Sequence, residues 1–153
     1  MTTHDPQTRA YELPDSGALS AAAQTALDAY HAAAEQLGRV MAVVTAVAVR
    51  DILTGNDSAD VPFDATHAEL VEAADGSLHA TGRYWTADGT ETSFTATLGT
   101  YAGDEIFDMN EWVPYLNHDN ERVWKPLVTK LPERDGQAVY RVDLAKAACL
   151  PLD

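Results

Sequence analysis

The chain has a single cysteine, Cys149, only three lysines, and no apolar run that could span a bilayer. A lone cysteine excludes an intramolecular disulfide and any multi-cysteine zinc or iron–sulfur site. The longest charge-free apolar stretch, Val40 to Val49, would cover about 15 Å as a helix against a hydrocarbon layer of about 30 Å. Residues 1–15 mix Thr, His, Asp, Pro and Arg without an apolar centre. They lack the pattern of a signal or transit peptide and are expected to form a flexible tail on a cytoplasmic protein. The glycines make neither a Walker A loop nor a Gly-x-Gly-x-x-Gly fingerprint, and no serine sits in a Gly-x-Ser-x-Gly elbow. Nucleotide-phosphate binding and elbow-type hydrolysis therefore have no motif to carry them.

What is present fits one globular domain. At 153 residues, 46% hydrophobic and 22% charged, the chain is long enough to remove about 70% of its unfolded surface from water. Residues 16–153 are expected to share one core.

The net charge of −14 is unevenly placed. Residues 1–50 hold five acids and three bases, residues 51–121 hold fifteen acids against Arg83 alone, and residues 122–153 hold four acids and six bases. A field of that sign opposes direct contact with a nucleic-acid backbone or an anionic membrane, and its natural complement is a basic protein. The alternative is a solvated surface that only confers solubility.

Helical spacing begins after Leu13-Pro14-Asp15-Ser16, a turn former followed by two N-cap residues. Leu27, Tyr30, Ala34, Leu37, Met41, Val44 and Ala48 alternate three and four apart, which predicts a helix from about Ala18 to Leu53 closed by Gly55. The β-branched run Val40–Val49 also suits a buried strand, and Gly38 also suits a C-cap; the stripe favours the helix because it crosses Gly38 without changing phase. So much apolar helix surface predicts a homodimer through Leu37, Met41, Val44 and Ala48.

Beyond Pro62 the period becomes that of strands: His67–Ala73, Leu78–Thr86 and Thr90–Leu98, punctuated by Asp75-Gly76 and Asp88-Gly89. A two-residue loop at the second turn would bury Arg83. A three-residue loop, Ala87-Asp88-Gly89 with the glycine left-handed, pairs Thr86 with Thr90 and gathers Leu78, Ala80, Gly82, Tyr84, Phe94, Ala96 and Leu98 on one face. That register also puts Trp85, Arg83, Glu91 and Ser93 on the outer face. A short helix or irregular segment is expected around Asp104–Leu116 with Asn110 as a possible N-cap, then a hairpin of Val123–Leu131 and Ala138–Leu144, with Pro126 marking an edge strand. The fold class is α+β: a long N-terminal helix on antiparallel hairpins.

Candidate chemistry is sparse. His67-Ala68-Glu69 has the His-x-Glu spacing of zinc deaminases without their Pro-Cys-x-x-Cys partner, so no zinc is expected. Asp104, Asp108 and Glu111 can share one helix face, but the glycine-centred ladder of an EF-hand is missing. His118 beside Asp119 has the residue types of a general base, yet no nucleophile is set for it. No cofactor is implied. The expected function is that of a non-catalytic accessory protein that binds a basic partner, in an inhibitor or nucleic-acid-mimic role, through Trp85, Asp104, Asp108, Glu111, Glu69, Glu72 and Glu91. The alternative is a small-ligand protein or enzyme with a pocket between helix and sheet at Tyr84, Trp112 and His118.

Overall fold

A computed structural model of the chain describes residues 8–55 and 62–153. Residues 8–15 are exposed and without regular structure; the rest of the expected tail, and most of the connection after Gly55, lie outside the described residues. Helix α1 spans Ser16–Thr54 without interruption, its start capped by Asp15 through a 3.1 Å bond from the Ala18 amide. It ends at left-handed Gly55, whose amide bonds back to the Asp51 carbonyl. The strand alternative for Val40–Val49 is thereby excluded. No described helix is long and apolar enough to cross a membrane.

The face that α1 buries within the chain differs from the stripe of larger residues. Gly38, Ala42, Thr45, Ala46, Val49 and Ile52 are the buried positions, and at 100° per residue they lie roughly a third of a turn from the line through Leu37 and Val44. Met41 and Ala48, at the border of the two, pack against the chain's own core, while Leu37 is 38% exposed. Small residues win this face because they let the helix lie close to its neighbours. Gly38 shows the reason most clearly: a Cβ there would come within 2.8 Å of Asn120 Cβ. Gly38 is a close-approach site and not a C-cap.

Five strands form one antiparallel sheet: β1 (His67–Glu72), β2 (Leu78–Trp85), β3 (Glu91–Ser93), β4 (Val128–Arg134) and β5 (Gln137–Asp143), in the order β3-β2-β1-β5-β4. The chain is thus an α+β protein, with α1 and the shorter helices against one sheet face and β1 in the centre. Between Ala68 and Leu70 the β1–β2 register shifts, since Ala68 faces Tyr84 and Leu70 faces Ala80. The bulge in β2 turns Thr81 toward Glu69.

The β2–β3 turn has the three-residue form. Trp85 pairs with Glu91 and Arg83 with Ser93, the Thr86 amide donates to the Thr90 carbonyl at 2.9 Å, and Gly89 has φ +86°. Open space surrounds the position where a Gly89 Cβ would sit. Gly89→Val should therefore lose about 1 to 2 kcal/mol through backbone strain alone, read as a lower urea midpoint, while Asp88→Ala loses less. An unshifted Gly89→Val midpoint would reject the left-handed turn.

Three sequence expectations are corrected. The run Thr90–Leu98 is not one strand: after Ser93 the chain forms α2 (Phe94–Leu98), because the Ser93 hydroxyl accepts the Ala96 amide at 3.1 Å as an N-cap and Gly99 ends the turn at φ +96°. Phe94 is still buried, stacked on Tyr84 at 5.0 Å. Asn110 closes α3 (Ala102–Met109) as its C-cap instead of opening a helix. Its amide takes the place of the strand that β3 is too short to supply, accepting from the Ala80 N–H at 2.8 Å and donating to the Ala80 carbonyl at 2.9 Å. Lastly, Val123 and Trp124 end α4 (Glu121–Trp124), and Pro126 lies in the 3-10 turn Lys125–Leu127 ahead of β4. β4 is an edge strand all the same. Leu144–Ala148 forms the last helix, α5.

Candidate functional site

The seven expected partner-binding residues fall on two separate surfaces. Glu69, Glu72, Trp85 and Glu91 belong to the sheet, whereas Asp104, Asp108 and Glu111 lie on or just after α3. On the sheet, Glu69 is unavailable to a partner. Its side chain is 2% exposed, bonded by Arg134 through Nη2 at 2.5 Å and Nη1 at 3.2 Å and by Thr81 Oγ1 at 2.9 Å. Burial pushes this carboxyl up, but the Arg134 and Thr81 bonds outweigh it and hold the acid below its ordinary value. Glu91 pairs with Arg83 at 3.4 Å. Trp85 is half-buried with the Arg141 guanidinium 5.7 Å over its ring, so its face is already occupied by a cation.

The α3 surface differs. Ala102, Ile106 and Met109 point inward at helical spacing and seat α3 against the core. That fixes the outward side, which carries Asp104, Phe107 and Asp108 and continues into Glu111 and Trp112. Phe107 is 73% exposed, Trp112 46%, and Tyr101 and Tyr115 are exposed at either end. Asp104 and Glu105 sit in the first turn of α3, where the helix dipole favours negative charge. Among the described residues no basic side chain lies within 4.0 Å of Asp104, Glu105, Asp108 or Glu111. A cleft of about 270 Å³ opens between α3 and α1, lined by Asp51, Ile52, Glu105, Asp108 and Trp112. Asp51 is already paired with Arg50 at 2.9 Å. The surface therefore offers unneutralised carboxylates interleaved with exposed aromatic rings.

The three residues of the expected pocket are apart. Tyr84 is buried, its hydroxyl 2.9 Å from Thr97 Oγ1. Trp112 lines the α3 cleft, and His118, 3.4 Å from Glu121, lines clefts on another side of the molecule with Asp75 and Ser77 or with His31 and Glu35. Ser77 Oγ stands 3.1 Å from His79 Nε2, a distance that suits a nucleophile and its base. The serine proton, however, is directed to Asp75 Oδ1 at 2.6 Å, which leaves His79 to donate and not to accept. His67 and Glu69 share the outer sheet face, with His67 Nδ1 on Thr66 Oγ1 at 2.9 Å and Glu69 taken up by Arg134. No group of three or more metal-ligating side chains is assembled among the described residues.

Sequence reasoning passed over Phe107 and Tyr101 because exposed aromatics inside an acidic run break no periodic pattern. The signal was available: Phe107 stands one residue off the Ala102-Ile106-Met109 line. No protein family, curated protein or solved structure matches the chain.

Proposed function

We propose that the protein is a non-catalytic interaction protein whose α3 surface receives a basic segment of a partner protein. The observation that supports this reading is the exposure of Phe107 and Trp112 among carboxylates that have no basic neighbour among the described residues. Lysine and arginine side chains meet both demands of such a surface, since their charge pairs with Asp104, Asp108 and Glu111 while their stems and cationic heads rest on aromatic rings. Steering by the −14 net charge would speed encounter with a cationic partner, and the rings would supply the slow off-rate. For a partner that itself binds nucleic acid, the carboxylates would stand in for phosphates, which is an inhibitor-type role.

The test compares affinity capture from host lysate by the parent chain and by Asp104→Lys/Asp108→Lys/Glu111→Lys, each checked for folding by circular dichroism. A basic partner should be retained by the parent at low salt and lost at least tenfold in the triple variant. Phe107→Ala/Trp112→Ala should lose it as well, with an unchanged salt dependence. Reversal of Glu72 and Glu91 on the sheet should leave capture intact. An identical partner set for parent and folded triple variant would remove α3 as the interface and leave the acidity as a matter of solubility.

A further inference from the structure

A second cleft, of about 560 Å³, lies between α1, the residues leading into β1, and α5. Its size is that of a small-molecule site, and its walls are mostly apolar: Ala46 and Val47 of α1, Phe63 ahead of β1, and Leu144 and Ala148 on α5. Local chemistry creates it. The Leu144 amide donates to the Thr66 carbonyl at 3.0 Å, so the entrance of β1 and the exit of β5 are tied at one level. Past that tie α5 leans on α1, and the gap beneath is left to small side chains.

Four polar groups reach this cleft: Arg50, Thr66, His67 and Asp143. Arg50 is neutralised, with Nε and Nη2 on Asp51 Oδ1 at 3.1 and 2.9 Å. The groups facing His67 are Thr66, Arg141, Asp143 and Lys146; burial first, then Arg141, keeps its imidazole below the ordinary value despite Asp143, so the ring is neutral at pH 7. The two oxygens of Asp143 differ. Oδ1 caps α5 by accepting the Lys146 amide at 3.1 Å. Oδ2 stands 4.0 Å from His67 Nε2 and accepts no hydrogen bond among the described residues.

An apolar cleft whose lining includes one carboxylate with a spare oxygen selects its ligand. A carboxylate ligand would face the Asp143 carboxylate, and an ammonium would meet the field of Arg141 and Lys146. A neutral molecule with one O–H donor meets neither objection. We propose that this cleft binds a neutral apolar small molecule of the phenol or alcohol type, with its single hydroxyl donating to Asp143 Oδ2. The site is separate from the α3 surface and does not depend on the partner reading.

The experiment titrates the full-length protein with 4-propylphenol, its methyl ether, 3-phenylpropanoate and 3-phenylpropylamine, following amide and histidine signals by NMR. Saturable shifts at Thr66, His67, Ala145 and Ala148 with 4-propylphenol, and at least tenfold weaker binding of the ether, are expected. Asp143→Asn keeps the helix cap, since asparagine caps as well as aspartate, yet should weaken the phenol tenfold and leave the ether unchanged. Ala148→Phe, at an exposed position on the cleft wall, should block every probe while the protein stays folded. Equal affinity of phenol and ether, tighter binding of either charged probe, or no saturable shift with any of the four would overturn the proposal.

Discussion

Trp124→Ala is expected to cost about 3 to 5 kcal/mol, the usual range for emptying a buried tryptophan site. Trp124 is 1% exposed and is the largest fully buried side chain. It meets Tyr140 of β5 edge-on, with ring centroids 5.6 Å apart and planes at 69°. Its indole Nε1 donates to the Asn117 carbonyl at 2.8 Å. That carbonyl begins the loop whose Asn120 packs on Gly38, so the tryptophan joins three pieces: the sheet, the 117–124 segment and α1. Removing it opens a cavity and leaves the Asn117 carbonyl with only the long 3.4 Å bond from the Asn120 amide. Trp124→Phe keeps most of the ring and loses the hydrogen bond, and should cost about 1 to 2 kcal/mol. Urea melts at pH 7 measure both. A loss under about 2 kcal/mol for the alanine variant would mean that the core collapses around the site and that the joint is not organised by this ring. In a domain whose total stability is on the order of 5 to 15 kcal/mol, the expected loss leaves little margin.

The same residue shows where the sequence was misleading. Val123 to Leu131 has the β-branched content of a strand, and only its second half is one. Pro126 and the Asn120–Glu121 turn hold the first half helical, and there Trp124 faces inward by helical geometry where strand alternation would have served equally well. Where a signal rests on local chemistry it was legible: the Asp15 cap and Gly55 stop of α1, and the Ala87-Asp88-Gly89 loop with its register as far as Ser93. The face that α1 buries within the chain was not legible, because alanine and valine surround the helix and the stripe of larger residues lies off it. The helix lies close to its neighbours through Gly38, Ala42 and Ala46, whose smallness carries little weight in a hydrophobic pattern.

The candidate site divides in the same way. The spacing of Asp104 and Asp108 was visible because helical periodicity is local, whereas Glu111 lies past the end of α3. That Glu69 is buried was invisible, because it depends on β1 being the central strand and on Arg134 arriving 65 residues later. A lone carboxylate at an alternating strand position gives no hint that a distant arginine will cover it.

That pair yields the second large effect, a reversal in the sign of a pH dependence. In the parent, Glu69 is held below its ordinary value, so its contribution is full above the unfolded-state glutamate value of about 4.3 and is lost as pH falls through the lower folded value. Arg134→Met removes the bidentate donor and leaves burial, the largest single influence, opposed only by Thr81 and the more distant Arg83. The carboxyl should then rise above its ordinary value, and its ionised form should destabilise the fold at neutral pH. Breaking a buried pair costs about 3 to 5 kcal/mol; because the Arg134 side chain is 39% exposed, solvent screening brings the expected loss to about 2 kcal/mol at pH 7. Protonation relieves that loss. The deficit against the parent should therefore shrink as pH drops from 7 toward 4, the range in which the raised carboxyl of the variant binds its proton and the parent begins to lose its own contribution. Glu69→Gln/Arg134→Met, which removes the charge along with its partner, should recover most of the stability at pH 7 and show no such trend. Urea melts of the three chains at pH 7, 5.5 and 4 decide it: a deficit for Arg134→Met that stays constant across the series would show that the arginine acts by packing its stem over the sheet and not by holding the Glu69 charge.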